Sequence, residues 1–232
     1  MVMSLKPIII LNLKAYKEAI GENFYAVLSD VEAVAVEFMG VVFAIAPNIL
    51  HIKDACNLRS RVLVFAQHAD PVPYGAYTGH IPIHALKMFG VDGVIINHSE
   101  RRVTMETIGR VVGVGRHLGL RTCVCAATLE EAKEVSKFSP TYVAFEPPEL
   151  IGTGRSVSRM RPDDLKKCVR LVVEESKGES IPICGAGITS GEDVRLALEY
   201  GAMGVLVASA FVKAKNRKMV LREFAEAAEG AV

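Results

Sequence analysis

The chain has 232 residues, half of them hydrophobic, and its 27 lysines and arginines almost balance its 26 aspartates and glutamates. That balance argues against nucleic acid or an anionic membrane as the main partner, and no apolar run approaches the roughly 18 residues that a membrane span needs. The N-terminal residues do not resemble a signal peptide. The five cysteines lack the spacing of a disulfide framework, which is typical of buried thiols in a reducing compartment. We therefore expect a cytoplasmic protein.

Eight short apolar runs recur along the chain at nearly even spacing. Dividing 232 residues among eight runs gives 29 residues for each. The runs are continuous rather than alternating, which is typical of parallel strands buried on both faces. They cover residues 8–11, 41–45, 62–65, 94–96, 122–125, 142–145, 181–184 and 205–207.

Helical patterns fall between several of these runs. An amphipathic stretch covers residues 18–38, and another helix is predicted to open at Thr128, where a Thr-x-x-Glu sequence has the pattern of a capping box. Pro162 and Ser190 have the positions of helix starts. The last helix is predicted over residues 218–228.

This alternation of strands and helices predicts an α/β protein, a single-domain (β/α)8 barrel over residues 1–232. The rival architecture is a doubly wound open sheet. That fold would want a Gly-x-Gly-x-x-Gly turn after the first strand, and this chain has Asn-Leu-Lys there.

In such a barrel the active site lies at the carboxyl ends of the strands, so the residues that follow the runs matter most. Asn12 and Lys14 follow the first run, and two-residue alternation predicts that they point to the same side. Lys14 there is either a fixed positive charge at the barrel mouth or an ordinary surface lysine. His98 follows the fourth run, where helix N-terminal amides would favour the neutral ring. The alternative for His98 is a structural histidine.

Glu146 ends the sixth run and begins a segment, residues 145–154, with the composition of a lid. Two prolines stiffen one end of the segment and two glycines free the other. A carboxylate at a strand end beneath a lid is where a general base would lie. The alternative is an ordinary loop with a solvated glutamate.

Small residues follow the last two runs. Gly185 and Gly187 come after the seventh, and Ala208 and Ser209 after the eighth. Barrels bind phosphate at these strand ends through backbone amides and a helix N-terminus. The two segments together predict a phosphate site.

Three motifs, in chain order, resemble the triosephosphate isomerase family: Asn-x-Lys at 12–14, Asn-His-Ser-Glu-Arg-Arg at 97–102, and Glu-Pro with Ile-Gly-Thr-Gly at 146–154. The resemblance implies interconversion of dihydroxyacetone phosphate and D-glyceraldehyde 3-phosphate in glycolysis and gluconeogenesis, without a cofactor or metal. It makes Glu146 the base and His98 the neutral electrophile, with Lys14 and Asn12 stabilising charge on the reacting oxygens. The residues it implies for substrate and phosphate binding are Asn12, Lys14, Ile151, Gly152, Gly185, Gly187, Ala208 and Ser209.

Departures from the common family pattern indicate its compact archaeal branch, whose members are often tetramers. The chain has no Trp in the lid, and a Gly-Ala-Gly turn replaces the common Gly-Gly-Ser. Residues 70–79 resemble the family's protruding interface loop. We expect a homo-oligomer, a tetramer rather than a dimer.

Other interpretations carry less support. His80 and His84 have metal-ligand spacing but lack a third ligand, and Cys123 and Cys125 fit core packing. A different phosphate-binding barrel, a synthase or lyase, would want a Schiff-base lysine or acidic metal ligands at strand ends. A non-catalytic barrel relic would not need the strand-end polar set described above.

Overall fold

A computed structural model of the chain describes residues 6–231. Residues 1–5 and 232 lie outside that range, and with them most of the segment on which the expectation of no signal peptide depends. The assignment of residues 1–232 to one domain therefore stays a prediction.

Within the described range, eight parallel strands close into one barrel in chain order, with the first strand paired to the second and to the eighth. The (β/α)8 prediction is confirmed, and all eight apolar runs form strands. The strands are β1 Ile8–Asn12, β2 Val42–Ala46, β3 Leu63–Ala66, β4 Gly93–Ile96, β5 Arg121–Ala126, β6 Tyr142–Phe145, β7 Ile181–Cys184 and β8 Gly204–Val207.

Helices surround this barrel and fill the connections between strands. Short 3₁₀ turns lie at Lys17–Ala19, Ile49–His51 and Pro148–Leu150. The α-helices of residues 6–231 are α1 Glu22–Glu37, α2 Ile52–Leu58, α3 Ile83–Met88, α4 Met105–His117, α5 Leu129–Ser136, α6 Val157–Met160, α7 Pro162–Glu175, α8 Gly191–Glu199, α9 Ser209–Val212 and α10 Arg217–Glu229. None of these helices is long and apolar enough to cross a membrane.

Two helix starts differ from the expected pattern. The first helix begins at Glu22 rather than residue 18, because Gly21 in the left-handed region (φ 63°) separates it from the preceding 3₁₀ turn. At α5 the Thr128 hydroxyl accepts from the Glu131 N–H (3.1 Å), but the Glu131 carboxylate does not return to Thr128. It accepts from the Ala127 N–H and from Asn97 instead, so the capping box is only half formed. The complete box lies at the start of α8.

The core has two layers. Strand residues of one parity fill the barrel interior, and those of the other parity pack beneath the helices with the main hydrophobic core. Cys123 and Cys125 both belong to the interior set. Because the strands run in parallel, their carboxyl ends, and the polar residues that follow them, meet at one mouth of the barrel.

Candidate active site

A cavity of about 360 Å³ opens at the carboxyl ends of the strands. We call it the strand-end cavity. It is lined by every residue predicted for the site: Asn12, Lys14, His98, Glu146, Ile151, Gly152, Gly185, Gly187, Ala208 and Ser209.

Glu146 follows β6 directly and lies at the floor of the cavity, with only 4% of its surface exposed. Its N–H donates to the Ala126 carbonyl (2.8 Å), which continues the β5–β6 pairing and fixes its backbone. Its carboxylate atom Oε2 lies 3.8 Å from His98 Nε2 and has no hydrogen-bond partner among the described residues. Burial raises the pKa of Glu146, and the neighbouring His98, Cys125 thiol and Lys14 lower it only in part. The arrangement leaves a basic oxygen free to take a proton from a ligand.

His98 presents one ring nitrogen to that carboxylate and the other to the backbone. Its Nδ1 accepts from the Glu100 N–H (3.2 Å), so the ring proton belongs on Nε2 and the ring is neutral. We expected the amides at a helix N-terminus to favour the neutral ring. This is wrong, because α4 begins only at Met105. The amide comes from a turn closed by the Arg101 N–H on the His98 carbonyl (2.8 Å).

The residue before His98 fixes this turn. Asn97 is buried and adopts the left-handed region (φ 64°), which is uncommon for a residue other than glycine. Its amide nitrogen donates to the Cys125 carbonyl and to Glu131 (2.9 Å each), and its side-chain oxygen accepts from the Val103 N–H. These bonds attach the His98 turn to β5 and α5.

Lys14 also adopts a left-handed conformation (φ 49°). The strand ends at Asn12, so two-residue alternation does not extend to Lys14 and was the wrong reason for grouping the two residues. They lie together because the Asn12 side-chain oxygen accepts from the Lys14 N–H (3.1 Å) in an Asx turn. Gln67 donates to the Lys14 carbonyl (3.0 Å), and the Lys14 ammonium contacts Glu100 (2.8 Å).

The side of the cavity predicted to bind phosphate is formed by residues 151–154 and by the segments after β7 and β8. Ser209 begins α9, so its amide has no acceptor within that helix. Gly187 has φ 72° and lies against the backbone of Arg155, where a Cβ would collide. The Ile151 N–H is already used within the lid, by the Pro148 carbonyl (3.2 Å).

Gly185, predicted for phosphate binding, also lies directly against Glu146. Its N–H donates to the Phe145 carbonyl (3.0 Å), and a Cβ built on it would collide with the Glu146 side chain. The glycine therefore provides the space in which the carboxylate lies.

Sequence reasoning missed two residues of the site. Tyr16 lines the cavity, and the Lys213 ammonium lies 4.5 Å from its ring centroid. Cys125, assigned to packing, also neighbours Glu146, and its thiol lowers the pKa of that carboxyl. The sequence held no signal for this, because it depends on the strand register in which Ala126 pairs with Phe145.

The two histidines with metal-ligand spacing do not converge. His80 precedes α3 and its ring meets Tyr77 edge-on (5.7 Å between centroids), while the His84 ring lies 6.0 Å from Tyr74. Among residues 6–231 there is no group of three or more His, Cys, Asp or Glu side chains arranged to hold a metal ion.

Comparison with known proteins gives consistent matches over the whole barrel. The family model described as triosephosphate isomerase matches residues 7–228. A triosephosphate isomerase of Methanocaldococcus jannaschii is 41% identical over 93% of this chain and 97% of its own length. Those of Pyrobaculum arsenaticum and Caldivirga maquilingensis are 43% and 41% identical, over 95% of this chain and 97% and 96% of their own lengths.

Proposed function

The chain belongs to the triosephosphate isomerase family, and from that premise we propose that the residues around the strand-end cavity carry out its reaction. The enzyme interconverts dihydroxyacetone phosphate and D-glyceraldehyde 3-phosphate. The observation that carries the assignment of the base is the buried Oε2 of Glu146, which has no hydrogen-bond partner among residues 6–231 and belongs to a side chain that lines the strand-end cavity.

Glu146 is the base in this proposal. Its Oε2 takes a proton from the carbon next to the carbonyl, and the electron pair of that C–H bond moves into an enediolate. The carboxylic acid so formed returns the proton to the neighbouring carbon, while the hydroxyl proton moves to the former carbonyl oxygen, so that the carbonyl and hydroxyl exchange places. Burial raises the pKa of Glu146 towards the range in which a carboxylate removes a carbon-bound proton more readily. The family is itself a standard illustration of this pairing of a glutamate base with a neutral histidine and a closing lid.

The other polar groups act on the oxygens. The His98 Nε2–H donates a hydrogen bond to the substrate carbonyl, and a neutral donor suits an oxygen whose negative charge rises and falls within one turnover. Lys14 supplies a fixed positive charge and Asn12 a neutral donor beside it. Because Lys14 also attracts the phosphate in the ground state, its charge contributes to binding as well as to turnover.

The phosphate lies between the lid and the segments after β7 and β8. Gly152, Gly187 and Ser209 supply amide donors there, and Ala208 lines the same wall. Since the Ile151 N–H is already engaged, Ile151 supplies apolar cover while its neighbour supplies the amide. Closing this lid excludes water from the enediolate.

The synthase or lyase interpretation and the non-catalytic relic have no observation that favours them. Lys14 is paired with Glu100 rather than free inside a strand, which does not suit a Schiff base. The strand-end polar set converges on one cavity instead of being scattered.

Replacing Glu146 by Gln tests the assignment. The variant keeps the shape of the side chain but cannot accept a proton, so kcat should fall by roughly 10²–10⁴-fold or more while KM changes little. Glu134→Gln, an exposed carboxylate on α5 paired with Lys137, is the control and should keep wild-type kinetics. Wild-type turnover in Glu146→Gln would mean that another group is the base.

We also propose a homo-oligomeric assembly in the cytoplasm, a tetramer rather than a dimer. A second cavity of about 280 Å³ reaches Lys14 and His98 from the side of Gln67, so the catalytic residues are incompletely covered in one chain. Tyr74 and Met88, whose side chains contact each other (2.9 Å), are 61% and 80% exposed, and such an apolar pair is costly to leave in water. Light scattering should give a mass above that of a monomer, and a monomer with full activity would contradict the proposal.

The proposed location in the cytoplasm is supported by the cysteines. All five thiols are free, as suits a reducing compartment.

A further inference from the structure

Asp193 is a buried carboxylate, 2% exposed, in the first turn of α8. One of its oxygens, Oδ2, accepts from the N–H and hydroxyl groups of Thr189 and Ser190 at distances of 2.9–3.1 Å. The other, Oδ1, accepts from the Ser156 hydroxyl (2.8 Å) and the Arg159 guanidinium (2.5 Å). One side chain thus joins two segments that are more than thirty residues apart in the chain.

Both segments border the strand-end cavity. Thr189 lines it directly, and Ser156 comes two residues after Gly154, the last lid residue in the cavity wall. The two segments also touch through the backbone, because the Val157 N–H donates to the Ala186 carbonyl (3.2 Å). Gly187 lies so close to Arg155 that there is no space for a side chain between them. The end of the lid therefore rests on the loop that follows β7.

Capping α8 does not account for these contacts. A capping residue at this position needs only to accept from the backbone of Ser190, and Oδ2 alone satisfies that. Oδ1 points away from the cap, towards the lid. Burial by itself would raise the pKa of Asp193, but the hydrogen bonds from Thr189, Ser156 and Arg159 outweigh it and the pKa lies below its ordinary value. The charged form is held because both segments supply donors to it.

We propose that Asp193 is a positioning residue that fixes the C-terminal end of the lid to the loop after β7, so that phosphate binding by this loop is transmitted to closure of the lid. The inference rests on the proposed functions of the lid and of the phosphate side. Gly152 and Gly154 lie in the left-handed region (φ 72° and 73°) between the lid tip and this anchor. In this proposal the lid bends at these two glycines when it closes. The contacts of Asp193 hold the chain in place on the C-terminal side of that bend.

The product distribution can test this role. If the lid closes poorly, the enediolate meets water while its phosphate is still attached. Its C–O bond to phosphate then breaks, and the enol that remains tautomerises to methylglyoxal, so one triose phosphate gives one methylglyoxal and one inorganic phosphate. The fraction of turnovers that end this way does not depend on how much of the enzyme is folded, so a loss of stability alone leaves it unchanged.

Two variants and a matched control make the experiment. Asp193→Asn turns an NH₂ group towards groups that themselves donate hydrogen bonds. Ser156→Ala removes one of the two contacts of Oδ1, together with the N-cap of α6, and leaves the Oδ2 contacts with Thr189 and Ser190 in place. Both should lower kcat/KM, Asp193→Asn by roughly 10- to 100-fold, and both should raise the methylglyoxal fraction severalfold above that of the wild type. Glu192→Gln removes an exposed carboxylate from the same turn of α8, where it pairs with Arg195, and should leave both quantities unchanged.

A variant lacking residues 150–153 separates the inference from its premise. If that variant releases methylglyoxal while Asp193→Asn and Ser156→Ala keep the wild-type product ratio, the anchoring role is wrong and Asp193 serves only the stability of α8. If the shortened variant itself releases no additional methylglyoxal, the lid does not protect the intermediate. The proposed lid function then fails, and the inference fails with it.

Discussion

Replacing Gly185 by Ala tests whether the position of the base limits catalysis. Gly185 is not among the described residues with a left-handed backbone, so alanine can adopt its conformation without strain. The only new group is a methyl carbon, which would collide with Cγ of Glu146 and would lie 2.9 Å from its Cδ and 3.0 Å from its Oε1. The substitution therefore acts on the carboxylate proposed as the base without changing its chemistry.

The size of the effect follows from those distances. Carbon atoms in contact prefer about 3.5–4.0 Å, so the Glu146 side chain must retreat by roughly 1 Å or more. A displacement of about 1 Å from the reactive geometry costs on the order of 10²-fold in rate, which corresponds to roughly 2.7 kcal/mol of activation free energy. We expect this loss in kcat, with a smaller change in KM.

Steady-state kinetics in both directions and a thermal melt give the measurement. Gly113→Ala is the matched control, because Gly113 is exposed in α4 and nothing lies within 4 Å of the added carbon. It should leave the kinetics unchanged and stabilise the helix by about 1 kcal/mol. A folded Gly185→Ala enzyme with wild-type kcat would show that Glu146 tolerates displacement, and a loss confined to KM would assign Gly185 to phosphate binding instead.

Three further predictions concern carboxylates. Burial raises the pKa of Glu146 above the ordinary value of 4.5, and the proposed base must be ionised to act. On acidification kcat/KM should therefore fall with an apparent pKa above 4.5, and a pH–rate profile whose acid limb lies at or below 4.5 would contradict this. At neutral pH the raised pKa of Glu146 means that its ionisation destabilises the folded state. Glu146→Gln should therefore raise the thermal midpoint of unfolding at neutral pH, and an unchanged or lower midpoint would contradict this prediction. Glu32 accepts from the N–H groups of residues 60–62, so Glu32→Gln should cost about 1–3 kcal/mol in urea unfolding, against a smaller loss for the exposed Glu37→Gln. The same bonds lower the pKa of Glu32 despite its partial burial, so its stabilisation is present above the ordinary pKa and is lost as the pH falls through the lowered one.

The strands could be predicted because a barrel strand is apolar on both faces, and a continuous apolar run too short for a helix indicates such a strand. Helix α4 (Met105–His117) was not among the predicted helices. It contains three glycines, which weaken a helical pattern. Two of them allow close packing, since a Cβ at Gly109 would meet Phe138 and one at Gly115 would meet Thr122. These glycines are explained by tertiary contacts, which cannot be read from the local sequence.

The members of the site were predictable for a similar reason, since the barrel brings every strand end to one mouth. Their exact support was not. The amide that fixes the His98 ring comes from a turn rather than a helix, and Asp193 meets Ser156 across 37 positions of the chain. Spacing along the sequence indicates which residues follow a strand, but it does not indicate which distant side chains hold them.

The site contains groups whose conformation or burial is energetically unfavourable. Of the four residues other than glycine with a left-handed backbone in the described range, Lys14 and Asn97 belong to it, and each costs about 1–2 kcal/mol relative to the right-handed region. Glu146 adds a buried oxygen without a partner in that range. Each strained backbone is held by contacts from elsewhere, Lys14 by Gln67 and Asn97 by β5 and α5. The rest of the barrel therefore maintains a geometry of the proposed site that the local backbone would not adopt by itself.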